Sequence, residues 1–320
     1  MPTTRRPRKG SMQFWPRSRA RRIYPKVKSN SKLTETKIIA FPGYKAGMTH
    51  TTLLDQNPKS LTNNQEIFCP VTIIECPPIK PFSLRFYKKT PDGLKLISEI
   101  LSKKLDKELK RKIKFPKKDP KPLIEQFDDL RIAFYTQPRL TTIGKKKPEI
   151  LEIPISGSKE KKLEYAKSLL EKEIKISDIF KEYQFVDVHA VTKGKGFQGP
   201  IKRFHLKLKS HKSEKKRRSG GNLGAWTPKK VSHTVPQAGS MGFNTRTEYN
   251  KLILKIDSDQ KIILPKSGIP HYGLIKNDYL LIKGSIPGPK KRTIILTEPI
   301  KARKQLTYEI NYISKWKQIY

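Results

Sequence analysis

A long basic segment between two predicted strands constrains this chain more than any other feature. Residues 193–250 separate the alternating run Phe185–Val191 from the run Lys251–Ile256, yet show no apolar periodicity of their own. Residues 193–230 contain thirteen Lys or Arg and one acid, Glu214, and eight of the chain's 18 glycines lie within the segment. Connections of this length without regular structure are uncommon and usually functional. Cations bind phosphate and glycines allow close backbone approach, so the segment is typical of a finger that threads into folded RNA.

The overall charge indicates the same class of partner. The 320 residues include 69 Lys or Arg and 28 Asp or Glu, a formal net charge of +41 with a pI of about 10.2. Such a charge destabilises a compact state through self-repulsion unless a polyanion neutralises it. It is also the electrostatic footprint of a nucleic-acid binder. Anionic lipid is the alternative, but the cations are spread over separate segments and not over one amphipathic face.

The first 37 residues are predicted to form a basic arm. Residues 1–30 contain ten Lys or Arg and no acid, with Phe14, Trp15 and Tyr24 among them. Too little apolar surface is present to order the segment alone, so it is predicted to become ordered on RNA. The alternatives are a nuclear or nucleolar address and a solvated tail.

The rest of the chain predicts a mainly β protein with an α/β insert. Short apolar runs between Pro and Gly turns indicate a small antiparallel barrel over 38–94 and 181–300, followed by a tail at 301–320. The predicted strands are Ile38–Phe41 (closed by Pro42 and Gly43), Pro70–Glu75, Phe82–Tyr87, a half-buried Phe185–Val191, Lys251–Ile256, Lys261–Leu264, Tyr279–Lys283 and Thr293–Thr297.

The insert, residues 95–180, has a different texture. Ile97, Leu101, Leu105 and Leu109 recur every four residues and predict a basic helix that ends at Phe115-Pro116. A second helix is predicted after Ser158, a candidate N-cap. Its apolar positions are Leu163, Ala166, Leu169 and Leu170, and a strand at Leu130–Tyr135 lies between the two helices.

One glycine motif has a second interpretation as a nucleotide site. Gly194 to Gly199 fits G-x-G-x-x-G after a strand, but a dinucleotide fold also needs a helix that opens at the motif and a later acidic residue. Pro200 follows instead, and the apolar spacing of a crossover helix is missing. The glycines are better interpreted as the flexible base of the finger.

Residues capable of metal or acid–base chemistry are scattered. Cys69 and Cys76 lack zinc spacing, and two small apolar residues near strands are favoured over a disulfide. His205, His211 and His233 lie among cations, which favours RNA contacts or packing. Asp187 and His189 share one strand face, with no nucleophile identifiable beside them. No run of 18 apolar residues and no secretory signal occurs, so an intracellular protein is expected.

Five ordered motifs resemble the universal large-subunit ribosomal protein L3 family in its archaeal form. They are Phe41–His50 (FPGYKAGMTH), Val191–Gly199 (VTKGKGFQG), Gly224–Pro228 (GAWTP), Pro236–Phe243 (PQAGSMGF) and Arg246–Asn250 (RTEYN).

The resemblance implies a fold, a function and partners. The family has a six-stranded translation-protein barrel of the SH3-like, elongation-factor type on the outer face of the ribosome, with long basic extensions through rRNA. It implies a structural, non-enzymatic role in the cytoplasmic large subunit, in assembly and in organising the peptidyl transferase centre and factor-binding region. It places Trp226 near that centre, and His211 where eukaryotic relatives have a modifiable histidine. Neighbouring ribosomal proteins are expected partners; a membrane, a homo-oligomer and a cofactor are not, structural Mg²⁺ entering only through rRNA.

The residue chemistry and the resemblance together predict an rRNA-binding set in the arm and the finger. Trp226 is predicted to stack on a base, a core position being the alternative, and a solvated face is the alternative for the run Lys215–Arg218. An RNA-modifying or hydrolytic enzyme and an architectural DNA-binding protein are the competing functions. The predicted set is Arg5, Arg6, Arg8, Lys9, Arg17, Arg19, Arg21, Arg22, Lys193, Lys195, Lys202, Arg203, His205, His211, Lys215, Lys216, Arg217, Arg218, Trp226, Lys229, Lys230, His233, Gln237 and Arg246.

Overall fold

The computed structural model divides the chain into two compact units. It describes residues 9–27, 31, 33–115, 127–213, 216–227, 229–265, 267–301 and 306–315. The first unit comprises Met1–Arg22 and Val191–Thr245, and the second comprises Ile23–Ala190 and Arg246–Tyr320.

The described residues are mainly β, as predicted. The strands are β1 Ala40–Asp55, β2 Glu66–Glu75, β3 Lys80–Thr90, β4 Gly93–Leu101, β5 Asp129–Tyr135, β6 Ile150–Pro154, β7 Phe185–Val191, β8 Phe197–Gln198, β9 Gly239–Ser240, β10 Thr245–Asp257, β11 Tyr279–Lys283, β12 Thr293–Thr297 and β13 Tyr308–Ile313. The α-helices are α1 Lys159–Leu169 and α2 Pro200–Phe204. Short 3-10 turns occupy Met12–Phe14, Lys107–Arg111, Pro138–Leu140, Ile176–Asp178 and Gln260–Ile262.

The main sheet of the second unit closes on itself. Its strand order is β12-β7-β10-β11-β2-β1-β13, and β12 pairs with β1 as well as with β7. Six strands therefore form a ring, and β13 extends it by pairing with Thr51–Asp55 of β1. Strand β13 lies in the segment predicted to be a C-terminal tail. The ring leads the chain out of β7 and back into β10, so both ends of the finger are anchored in neighbouring strands.

Strand β7 is more deeply buried than the half-buried strand predicted for it. Six of its seven residues are buried, including Asp187 and His189. The Asp187 carboxylate accepts hydrogen bonds from the backbone N–H groups of Asn250 and Ile300, at 2.8 and 3.0 Å. Such bonds satisfy a carboxylate away from water. Both residues therefore belong to the framework of the ring.

Pro42 and Gly43 do not end the first strand, so that prediction is wrong. Strand β1 continues to Asp55, with Pro42 opposite Ile295 on β12. Pairing with β2 begins only at Tyr44, so Pro42 has a sheet neighbour on one side and its missing N–H is tolerated there. Gly43 is needed for close packing, since a Cβ would lie 2.5 Å from Ile74 Cγ2.

A second, four-stranded sheet has the order β4-β3-β5-β6, and β5 and β6 lie in the insert. The predicted barrel strand Phe82–Tyr87 is part of β3 and belongs to this sheet and not to the ring, because β3 pairs with β5. The helix predicted from Ile97 to Leu109 is wrong, because Ile97 and Leu101 lie on β4 and only Lys107–Arg111 forms a 3-10 turn. Residues four apart share one face of a helix, and they also share one face of a regular strand because side chains alternate there with a period of two. The spacing therefore does not distinguish the two structures. The turn at Gly93, with φ of 123°, joins β4 to β3 in a hairpin. Phe115 is described, whereas Pro116 lies outside the described residues.

The second predicted helix is confirmed as α1. Ser158 is its N-cap residue, although its side chain makes no capping hydrogen bond. The strand predicted at Lys261–Leu264 is wrong. The Asp259 side chain accepts from the N–H of Lys261 and starts a 3-10 turn at Gln260–Ile262 instead.

The core of the second unit consists mainly of side chains from the ring and the insert. Tyr24, in the predicted arm, is buried in it. Cys69 and Cys76 are free and buried, which confirms their interpretation as small apolar residues. Among the described residues, no helix is long and apolar enough to cross a membrane.

Candidate nucleic-acid interface

The first unit contains a small framework at the base of the finger. Strands β8 and β9 pair there through Phe197 with Ser240 and Gln198 with Gly239. Contrary to the sequence prediction, a helix does open after the glycine motif. It is the single turn α2, with Pro200 in its first turn, where a missing N–H is tolerated. The helix ends at Phe204, and its C-cap residue His205 has a left-handed φ of 55°.

Two arginines that are distant in sequence meet on one buried phenylalanine. The Cζ atoms of Arg17 and Arg203 lie 4.9 and 5.0 Å from the ring centroid of Phe204, which is 2% exposed. Arg203 also donates to the carbonyls of Gln237 and Ser240, at 3.0 and 3.2 Å. Burial, with the nearby Arg17 guanidinium, lowers the pKa of Arg203 from its ordinary value. This pair of like charges would be stabilised by an anion between or beside them.

The arm is fastened to the finger base by backbone as well as side-chain contacts. Ala20 N donates to Phe243 O at 2.8 Å, and Asn244 Nδ2 donates to Ser18 O at 2.8 Å. The guanidinium carbon of Arg19 lies 5.5 Å from the Phe243 ring centroid. Residues 9–22 thus have a protein framework, whereas the sequence predicted an arm that becomes ordered only on RNA.

Phe204, Phe243 and Asn244 organise this framework, and none of them is in the predicted rRNA-binding set, although Phe243 ends one of the five motifs. Because a planar guanidinium stacks on aromatic rings, the aromatic residues of a basic segment suggest such stacking. The sequence does not show which ring contacts which arginine.

Gly242 allows the two chain segments at the base of the finger to pass close to each other. Its φ is 76°, and a Cβ would collide with the Lys193 carbonyl oxygen. Gly194 lies beside the Phe243 side chain at ordinary contact distance. Close approach explains these glycines without a bound nucleotide.

Trp226 is not a core residue, which rules out the structural alternative for it. Its side chain is 83% exposed, and residues 221–227 are all exposed. Lys229 folds back on it, with its N–H donating to Trp226 O at 2.7 Å and its ammonium 5.8 Å from the indole centroid. The φ of Lys229 is 64°, so this cation is held in a conformation that usually favours glycine. A flat aromatic face beside a cation is suited to a base and its phosphate.

Most other residues of the predicted set are also exposed. His233 is exposed and its ring is 5.5 Å from that of Trp15, at an interplanar angle of 77°. Arg246 is half-buried on β10, in the second unit. Arg5, Arg6, Arg8 and Lys215 lie outside the described residues. The remaining exposed members are Lys9, Arg19, Arg21, Arg22, Lys193, Lys195, Lys202, His205, His211, Lys216, Arg217, Arg218, Lys229, Lys230 and Gln237.

The charge balance of the first unit is extreme. Met1–Arg22 contains eight Lys or Arg and Val191–Thr245 contains thirteen, against one acid, Glu214. The unit's cations therefore have almost no carboxylate of their own with which to pair. Across the described residues of the whole chain, no group of three His, Cys, Asp or Glu could hold a metal ion.

Comparison with known proteins identifies the family. The model of the family described as Ribosomal protein L3 matches residues 1–316. The chain belongs to the ribosomal protein L3 family. Three archaeal relatives named large ribosomal subunit protein uL3 support this assignment. That of Methanococcus vannielii is 45% identical over 97% of this chain and 96% of its own length. For Methanocaldococcus jannaschii the values are 45%, 97% and 96%, and for Archaeoglobus fulgidus 46%, 93% and 93%.

Membership of the L3 family confirms the resemblance drawn from the five motifs. The family is structural and non-enzymatic, which removes the RNA-modifying and hydrolytic alternatives.

Proposed function

We propose that this chain, by its family a structural constituent of the large subunit of the cytoplasmic ribosome, binds large-subunit rRNA through its first unit. The observation that carries the proposal is the charge of that unit, whose arm and finger contain 21 Lys or Arg and one acid. A folded unit of this charge needs a polyanion to offset self-repulsion. Phosphates of folded rRNA supply it at short range.

The contacts divide by chemistry. Exposed lysines and arginines of the finger neutralise phosphates, and the Arg17–Arg203 pair on Phe204 forms a fixed anion-binding point at the finger base. Exposed Trp226, with Lys229 beside it, stacks on an unpaired base near the peptidyl transferase centre. Ordering of rRNA around the finger supports subunit assembly and the organisation of that centre and the factor-binding region. Mg²⁺ is bound by the rRNA.

Salt dependence of binding tests the rRNA contact. The full chain is titrated with large-subunit rRNA by filter binding across a series of KCl concentrations. Release of counterions from about ten phosphates gives a log–log slope of roughly −7 to −9. The variant Arg217→Gln/Arg218→Gln/Lys229→Gln/Lys230→Gln should lower the magnitude of that slope by about 3, at roughly 0.7–0.9 for each phosphate that is no longer neutralised.

A matched variant controls for the loss of charge. Lys161, Lys167, Lys172 and Lys181 are exposed lysines of the second unit outside the predicted set, and their replacement by Gln should leave the slope close to that of the parent. A parental slope near zero would rule out rRNA binding by phosphate contact. Equal or tighter binding to duplex DNA at the same salt would favour an architectural DNA-binding protein instead.

A further inference from the structure

Three loops of the second unit carry cations that neither the arm nor the finger accounts for. The loops are residues 140–149, 267–278 and 284–292, and they contain seven Lys or Arg and two acids. Of these acids, Glu149 is buried and pairs with Lys145, and Asp278 is half-buried beside β11. The exposed basic residues of these loops, here termed the loop face, are Lys146, Lys147, His271, Lys276 and Lys291.

Direct contacts hold the three loops together. Thr142 Oγ1 donates to the carbonyls of Tyr272 and Leu274, at 3.3 and 2.7 Å, which joins the first loop to the second. Lys290 Nζ donates to Pro270 O at 2.7 Å, which joins the third loop to the second. The exposed basic residues of the loop face are therefore parts of one connected surface.

A buried lysine fixes the third loop against the ring. Lys45 is 8% exposed, and its ammonium donates to the carbonyls of Ile286 and Gly288, at 2.7 and 3.1 Å. Its backbone pairs with the same loop, accepting from Lys291 N at 2.8 Å and donating to Arg292 O at 3.1 Å. The loop is held in one conformation before any ligand arrives, which lowers the ordering entropy lost on binding.

Backbone conformation gives an independent indication that the side chains matter. Lys291 and His271 have φ values of 66° and 62°, in the left-handed region that glycine adopts without penalty. Both side chains are exposed, so neither residue is explained by core packing. Strained residues of this kind concentrate at binding sites, where a ligand uses the side chain.

We propose that the loop face is a second contact surface for rRNA phosphates, formed by residues that belong to neither the arm nor the finger. The inference rests on the proposed function and names a further site for it. The ligand is folded RNA because the surface is exposed and preorganised and because seven Lys or Arg outnumber two acids, neither of which is fully exposed. Phosphate oxygens are the acceptors that such a surface fits.

The test uses the full chain and the same salt series with large-subunit rRNA. The variant Lys146→Gln/Lys147→Gln/Lys276→Gln/Lys291→Gln should reduce the magnitude of the log–log slope by about 3, if each lysine contacts one phosphate. The control variant is again the Gln replacement of Lys161, Lys167, Lys172 and Lys181, which removes the same charge from the same unit. Unchanged unfolding curves for both variants would exclude a folding effect.

The outcomes separate this inference from the proposed function. A steep parental slope that the finger variant lowers and the loop-face variant does not would overturn the loop face alone. A parental slope near zero would overturn both. Equal losses in the loop-face and control variants would show a general charge effect and overturn the loop face. Protection of Lys291 from acetylation in intact subunits, without a change of slope, would assign the surface to a neighbouring protein and overturn it too.

Discussion

Trp226 is held away from any core, with its indole exposed and Lys229 beside it. Replacing it with Ala should change the free energy of unfolding of the full chain by no more than about 0.5 kcal/mol, as is usual for surface positions. Loss of base stacking, worth about 1–3 kcal/mol, should instead impair tRNA accommodation by subunits reconstituted with the variant. Trp226→Phe keeps a flat ring and serves as the control. A large loss of stability in Trp226→Ala would contradict the exposed position.

The titration of His189 should affect the pH dependence of the free energy of unfolding. Burial lowers its pKa from the ordinary value, although Asp187 acts in the opposite direction. The folded protein therefore keeps the ring neutral to a lower pH than the unfolded chain does, with the ring nitrogens 2.9 and 3.0 Å from Thr247 Oγ1 and Thr297 Oγ1. The unfolded chain binds a proton more readily, so stability is full above about pH 6.5 and falls as pH drops through that value.

Comparing the parent with His189→Gln isolates this titration. Denaturant unfolding at about pH 7.5 and about pH 5.5 should show a smaller loss of unfolding free energy in the variant, since the other histidines are common to both proteins. An identical pH dependence would mean that His189 is not held neutral in the fold.

At the scale of elements, the conformation of the finger base depends on the close packing of its two chain segments at Lys193 and Gly242. Gly242→Ala places a methyl group against the Lys193 carbonyl at a φ of 76°, so the two segments must move apart. Such strain costs on the order of 1–3 kcal/mol. We expect faster backbone amide exchange in residues 193–199 and 239–244 and weaker rRNA binding. Gly221→Ala is the matched control, because nothing lies within 4 Å of its Cβ position. Equal exchange in the two variants would refute the role of Gly242.

At the scale of the whole molecule, net charge has opposite effects on folding and binding. Salt screens the self-repulsion of a chain with charge +41, so the Tm of the free protein should rise with KCl. The same salt weakens rRNA binding through counterion release. Thermal unfolding of the free chain from about 0.05 to 0.5 M KCl checks the first effect, with an uncharged osmolality control. A falling Tm would show that ion pairs within the chain outweigh the repulsion.

The sequence by itself determined those features that depend on local pattern. Strand β7 begins and ends where the alternating run predicts, and β11 and β12 where short apolar runs between turns predict, because such patterns are encoded within a few residues. The basic finger followed from charge and glycine content, and the family followed from five motifs in order. These features do not depend on contacts between segments that are distant in the chain.

Only the tertiary structure decided the features that depend on a distant partner. Ile97 and Leu101 lie in a strand because β4 pairs with β3, with Leu101 opposite Ser83 and Ile97 at a register shift, whereas their spacing fits a helix equally well. Arg17 and Arg203 meet only through Phe204, and the loop face exists because Thr142 and Lys290 join loops that are separate in the chain. Sequence gives the propensity of a segment and the chemistry of its side chains. Packing selects which neighbour satisfies each hydrogen bond and charge, and so where the cations are presented.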